Sequence, residues 1–143
     1  MTEALSARLR DIVEALPLRP GLRILEIGCG PGAMARAIAR RLEGRGFVLA
    51  IDRSATAIRQ AESGSAAEIA AGTLAFRQST AEAFTLGKGE EKFDLAVAIR
   101  VGALDGRHPE AGILARAAIK AALKPGGVLL IDGGNPLRQV ELG

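Results

Sequence analysis

The chain has no tryptophan and no tyrosine, and four phenylalanines are its whole aromatic content. That argues against a cage or stacking platform built from several aromatics, and so against choline-like ligands and single-stranded nucleic acid read by stacking. One cysteine, Cys29, leaves no intrachain disulfide and no multi-cysteine metal site. No apolar run approaches membrane-spanning length. Arg8, Arg10, Asp11 and Glu14 interrupt the first twenty residues, which lack the apolar core of a signal peptide. A cytoplasmic location is the expectation. Nor is there a block of one charge. Nineteen Lys and Arg stand against sixteen Asp and Glu, net +3, with the basic residues scattered from Arg8 to Arg138. Neither nucleic acid nor a membrane surface is indicated as a partner.

What is present is a globular composition, 48% hydrophobic and 24% charged over 143 residues, enough for one domain spanning residues 1–143. Its most informative stretch is Ile24-Leu25-Glu26-Ile27-Gly28-Cys29-Gly30-Pro31-Gly32. An aliphatic strand stops at three glycines in five positions, and a helical pattern begins at about Ala33. Glycines at such a turn permit positive φ and let a ligand lie directly on the main chain. The helix adds free N–H groups and the positive end of its dipole. A nucleotide-type cofactor site is the local reading.

The rest of the chain alternates. Leu5, Leu9, Ile12, Val13 and Leu16 predict a helix from Thr2 to Leu16, ended by Pro17 and Pro20. Strands follow at Leu22–Ile27, Phe47–Ile51, Leu74–Arg77, Phe93–Ile99 and Val128–Ile131, the last after a Lys124-Pro125-Gly126-Gly127 turn. Helices carry Met34, Ile38 and Leu42, then Ile58 through Ile69 with a break near Gly64, then Ile113 to Leu123 behind Pro109. Ser54 can cap the second of these. Strand–helix alternation implies an α/β fold, a three-layer α/β/α sandwich around a doubly wound, mainly parallel sheet. In such sheets ligands bind outside the carboxyl ends of the strands. The glycine turn, Asp52, Gln78–Glu82 and Arg100 all fall there.

Gly28 to Ala33 formally satisfies a dinucleotide fingerprint, and Asp52, about twenty residues on, is placed to hold ribose hydroxyls. These two features leave a dinucleotide and an adenosyl ligand both open. Four blocks occur in order and spacing: Glu26 before the turn, Gly28-Cys29-Gly30-Pro31-Gly32, Phe93-Asp94-Leu95-Ala96-Val97, and Leu123-Lys124-Pro125-Gly126-Gly127-Val128. Together, from Leu22 to Asp132, they resemble the class I S-adenosylmethionine-dependent methyltransferases. The resemblance implies strand order 3-2-1-4-5 and S-adenosyl-L-methionine as cofactor. It implies a cofactor site of Glu26, Gly28, Cys29, Gly30, Gly32, Asp52, Arg53, Thr80, Ala81, Glu82 and Arg100. The turn would meet the methionine part, Asp52 the ribose, Arg53 the flank of the adenine and Thr80 to Glu82 its edge. Thr80 stands where many members carry an acidic residue.

Each of these residues has a plainer reading. Glu26 braces the turn by accepting backbone N–H groups. Cys29 is a small hydrophobe rather than a nucleophile. Asp52 is a helix cap. His108 is an N-cap rather than a base working with Asp105. Arg100 pairs with the cofactor carboxylate, with an anionic substrate or with Asp105. Arg36, Arg40 and Arg41 form a solvated helix face. The sequence assigns no catalytic group; Arg100, Asp105 and His108 are the candidates, and no metal ligand set is present. The expected reaction is methyl transfer to a small-molecule acceptor. A non-catalytic or accessory cofactor-binding protein is the rival, and an NAD(P)-dependent reductase is disfavoured without a tyrosine.

Family members carry a further hairpin that completes the sheet. After Asp132 only Gly133–Gly143 remain, too short for a helix plus hairpin. The expectation is a minimal or truncated member, or a wall supplied by a partner. An exposed fifth-strand edge favours a homodimer or covering by the tail.

Overall fold

A computed structural model describes residues 5–143. Five parallel strands and one antiparallel strand form a single sheet in the order β3-β2-β1-β4-β5-β6. They are β1 Arg23–Ile27, β2 Phe47–Asp52, β3 Leu74–Gln78, β4 Phe93–Ala98, β5 Leu123–Asp132 and β6 Leu137–Val140. The helices are α1 Ala7–Ala15, α2 Ala33–Arg41, α3 Ala55–Ser63, α4 Ala66–Ala70 and α5 Pro109–Ala122. Residues 2–4 of the expected first helix lie outside the described residues.

The strands are covered on both faces, so their side chains sort by parity into two cores. Ile24, Val48, Ala50, Leu95 and Val97 pack against Ile12 and Val13 of α1, Met34 and Ile38 of α2 and Ile58 of α3. Leu25, Ile27, Leu49, Ile51, Ala96 and Ala98 pack against Ala115 and Ile119 of α5 and against Ala81 and Phe84. The local signals act as expected. Ser6 and Ser54 accept from Leu9 and Ala57 N–H as N-caps, Pro109 opens α5, and Gly64 separates α3 from α4.

Two places differ from the sequence reading. The Lys124–Gly127 turn is a bulge inside one long β5. The ladder jumps from Phe93↔Leu123 to Leu95↔Val128, and Gly126 at φ +83° takes the bend. The second correction concerns the missing hairpin. The tail folds back as β6, antiparallel to β5 with Leu129↔Val140 and Asp132↔Leu137 in register. Gly133, Gly134, Asn135 and Pro136 make the turn, with Gly133 at φ +105° and a cis Asn135–Pro136 bond. The tail thus adds one strand where the sequence reading expected none, while the two further strands of the family are not both present among the described residues. The β5 edge is covered by the tail.

Candidate functional site

The strand order reverses between β1 and β4, and the carboxyl ends of β1, β2, β3 and β4 converge on one side. There the glycine turn is braced from β2. Gly28 and Cys29 donate their N–H groups to the Ile51 carbonyl at 2.8 and 3.0 Å. Gly30 N–H donates to Asp52 Oδ2 at 2.9 Å, while Asp52 Oδ1 accepts from Ser54 N–H at 2.9 Å. Asp52 thus does the bracing that the sequence reading gave to Glu26, and it also anchors the start of α3. Gly30, at φ +53°, has nothing within 4 Å of where a Cβ would stand, so the turn is open above it.

Behind the turn the chemistry is buried. Glu26 is 3% exposed, and its Oε1 has no hydrogen-bond partner. Burial pushes its carboxyl up to about 8, repulsion from Asp52 adds to this, and Arg36 opposes it. The Cys29 thiol is pushed up by burial, with Glu26 and Asp52 reinforcing. It therefore stays protonated and unreactive. Arg36 corrects the sequence reading: it is 7% exposed, not part of a solvated face, and donates from Nη1 to Pro31 O and Ser65 Oγ. Arg40 and Arg41 are exposed.

In front of the turn lies a cleft of about 940 Å³. Gly28, Asp52, Arg53, Thr80, Ala81, Glu82, Arg100 and His108 line it. Glu26, Cys29, Gly30 and Gly32 belong to the turn or its underside rather than the lining, and Asp105 stands outside it. One wall is the 79–92 segment, held from below. Arg77 donates to both oxygens of Glu90 at 3.1 and 2.7 Å and lies 5.7 Å above the Phe84 ring. Those bonds hold the Glu90 carboxyl below its ordinary range.

The opposite wall is Arg100 to Ala111, of which the sequence reading named Arg100, Asp105 and His108 but not Val101 to Ala103, Arg107 or Pro109 to Ala111 as lining. Arg100 adopts φ +59°, unusual for a residue with a side chain. Both its backbone groups are tied: its N–H donates to Asp132 Oδ1 at 3.1 Å, and its carbonyl accepts from Arg107 Nη2 at 3.0 Å. The other Asp132 oxygen accepts from Arg8 of α1 at 2.7 Å. Asp105 pairs with Arg107 at 2.8 Å, not with Arg100. Its carboxyl is held low mainly by that bond. His108 precedes α5 without a side-chain cap bond, and its ring lies on Gly102, where a Cβ would come within 2.5 Å of Cδ2. The Gly102 and Pro109 pair, flanking a polar loop after β4, is the signal that marked this wall. Among the described residues no group of His, Cys, Asp and Glu is placed to hold a metal ion. Among them, too, no helix is long and apolar enough to cross a membrane.

Fold and site together define an α/β domain with a glycine turn and a carboxylate at the carboxyl ends of its strands, the arrangement a ribose-bearing cofactor would need. The residues fit such a group: the space above Gly30 is open, and the orphaned Glu26 oxygen lies behind the turn. Residues 18–141 match the methyltransferase-domain family, and the chain belongs to it. It is 36% identical over 135 residues to a protein-L-isoaspartate O-methyltransferase of Methylorubrum extorquens, covering 92% of this chain and 50% of that protein. The YjhP structure from E. coli superposes with a TM-score of 0.68 at 27% identity, over 90% of this chain and 49% of that one. A SAM-dependent methyltransferase from Geobacter sulfurreducens, solved with S-adenosyl-L-homocysteine, gives 0.66 at 24%, over 87% and 46%. The chain therefore spans half or less of the length of these relatives.

Proposed function

We propose that this domain binds S-adenosyl-L-methionine in the cleft and passes its methyl group to a small-molecule acceptor held against the Arg100–Ala111 wall. One juxtaposition carries the reading: Gly28 of the glycine turn and the Asp52 carboxylate line a single cleft at the strand ends. When bound, the cofactor supplies a methyl group already activated by its positive sulfur. The chain's own task is to orient and desolvate the acceptor.

Gly28 and Gly30 take the methionine part, Asp52 the ribose hydroxyls, and Arg53 the flank of the adenine. Thr80, Ala81 and Glu82 take the adenine edge. Thr80 Oγ1 accepts from Ala83 N–H at 3.2 Å and keeps a lone pair for the adenine amino group. Arg100 and His108 stand on the acceptor side. His108 serves as base for an acceptor that starts protonated. An isoaspartyl carboxylate, the acceptor in the relative's name, would need no base.

Calorimetry with S-adenosylmethionine, S-adenosylhomocysteine and NAD tests the reading, with binding of both sulfur compounds and not NAD expected. Asp52→Ala should weaken S-adenosylhomocysteine by about tenfold or more, through the loss of charge-assisted bonds. Failure of the wild type to bind either sulfur compound would overturn the proposal. Binding without turnover on an acceptor panel that includes an isoaspartyl peptide would assign an accessory, cofactor-binding role.

A further inference from the structure

Beneath the glycine turn, on the side away from the cleft, runs a slot between two residues that lack side chains. A Cβ on Gly32 would stand 2.8 Å from Arg36 Nη1, and one on Gly64 would stand 3.1 Å from the same atom. The Arg36 guanidinium fills this slot. Nη1 donates at 3.1 Å to the Pro31 carbonyl, inside the turn, and at 2.9 Å to Ser65 Oγ, at the junction of α3 and α4. Ser65 is fully buried, so its hydroxyl has no water to turn to. A buried arginine is costly unless its donors are used. Here one bond goes to the turn and one to the start of α4.

The slot ties three elements to one cation. Arg36 rises from α2, the turn joins β1 to α2, and Ser65 starts α4. Glu26 on β1 feels the Arg36 charge as an attraction, against repulsion from Asp52 on β2, and the buried Cys29 thiol feels Glu26 in turn. With Asp52 gripping Gly30 N–H from the front, Arg36 grips the Pro31 carbonyl from the back. The turn is clamped at two peptides, Cys29–Gly30 and Pro31–Gly32, that flank the Gly30–Pro31 bond.

We propose that Arg36 is a positioning residue for cofactor binding: through Pro31, Ser65 and Glu26 it sets the shape and charge of the glycine turn from beneath. It touches no ligand itself. The proposal rests on the reading of this turn as the cofactor's. A bland filler of a hole would leave the turn's chemistry unchanged when replaced by another filler, and this separates the two roles.

The experiment uses the full chain and S-adenosylhomocysteine as probe, with the dissociation constant measured by calorimetry from pH 6 to 9 beside the thermal midpoint. Arg36→Met fills the slot without charge or donors. It should weaken binding by about tenfold or more and move the midpoint of the pH profile upward by about half a unit or more, because Glu26 loses its attractive partner. Arg36→Lys keeps the charge and should leave that midpoint near the wild-type value. It should still bind more weakly, since one ammonium replaces a planar fork. Gly64→Ala crowds the guanidinium and should also weaken binding. The probe's own amine titrates identically in every variant, so differences between variants carry the result.

Wild-type affinity and midpoint in Arg36→Met would overturn the proposal alone. So would affinity that falls only in step with thermal stability while the midpoint stays put. If Arg36→Met does not fold, Arg36→Lys and Gly64→Ala decide: unchanged affinity in both overturns it. No binding by the wild type would overturn the cofactor reading and this proposal with it.

Discussion

Burial raises the Glu26 carboxyl from its usual 4.5 to about 8, which makes one side chain a pH-dependent load on the fold. The unfolded chain releases that proton near the ordinary value; the folded chain holds it until about pH 8. Between these values the native state carries the extra proton, so stability is fully present in acid and falls as pH rises through this window. The thermal midpoint should therefore drop between pH 5 and 8 by several degrees, and Glu26→Gln should flatten the slope. An equal slope in both proteins, read by calorimetric or fluorescence melting, would remove Glu26 as the source. Glu26, the glycines and Asp52 were legible in the sequence because they sit at fixed offsets around one strand–turn–helix. Arg36 was not, because the slot that buries it is made by Gly32 and by Gly64, thirty-two positions later, and only the packing of α3 onto β2 and β3 brings them together.

At the scale of elements, the 79–92 segment forms a cleft wall without regular structure of its own, so its order has to come from side chains. Arg77, on β3, supplies it: through the Phe84 ring and Glu90 it holds the middle and the far end of the segment to the sheet. Arg77 is more than a third exposed, so the pair contributes about 1 kcal/mol or less to global stability. The local effect is larger. Arg77→Ala should leave the melting point within a few degrees of wild type, speed amide hydrogen exchange across residues 79–92 and weaken S-adenosylhomocysteine several-fold. Unchanged exchange there would show that Ala81 and Phe84 packing suffices. Elements with a strong apolar pattern, the nearly continuous run of β4 and the helical spacing of α5, were readable from the sequence. The β6 strand was readable in its parts, since Gly-Gly-Asn-Pro is a turn signal. It was missed because the family's longer connection set the expected length.

For the molecule as a whole, the strand order and the cofactor side follow from alternation and the four motif blocks. The acceptor side follows from contacts across more than thirty residues, such as Arg100 N–H on Asp132, that no spacing reveals. Arg100 sits in the left-handed region at φ +59° with its backbone tied at both ends. That conformation costs a residue with a Cβ about 1 kcal/mol, and glycine escapes the penalty. Arg100→Gly should thus raise unfolding stability by up to about 1 kcal/mol in denaturant titrations while the cleft loses a guanidinium and turnover falls. A destabilised Arg100→Gly protein would show that the loop needs the arginine for its own sake. Under selection for heat resistance alone, with no demand on activity, positions 43 and 100, both left-handed, are accordingly where this chain would drift to glycine. At position 100, unlike position 43, the exchange would also take a side chain out of the cleft lining.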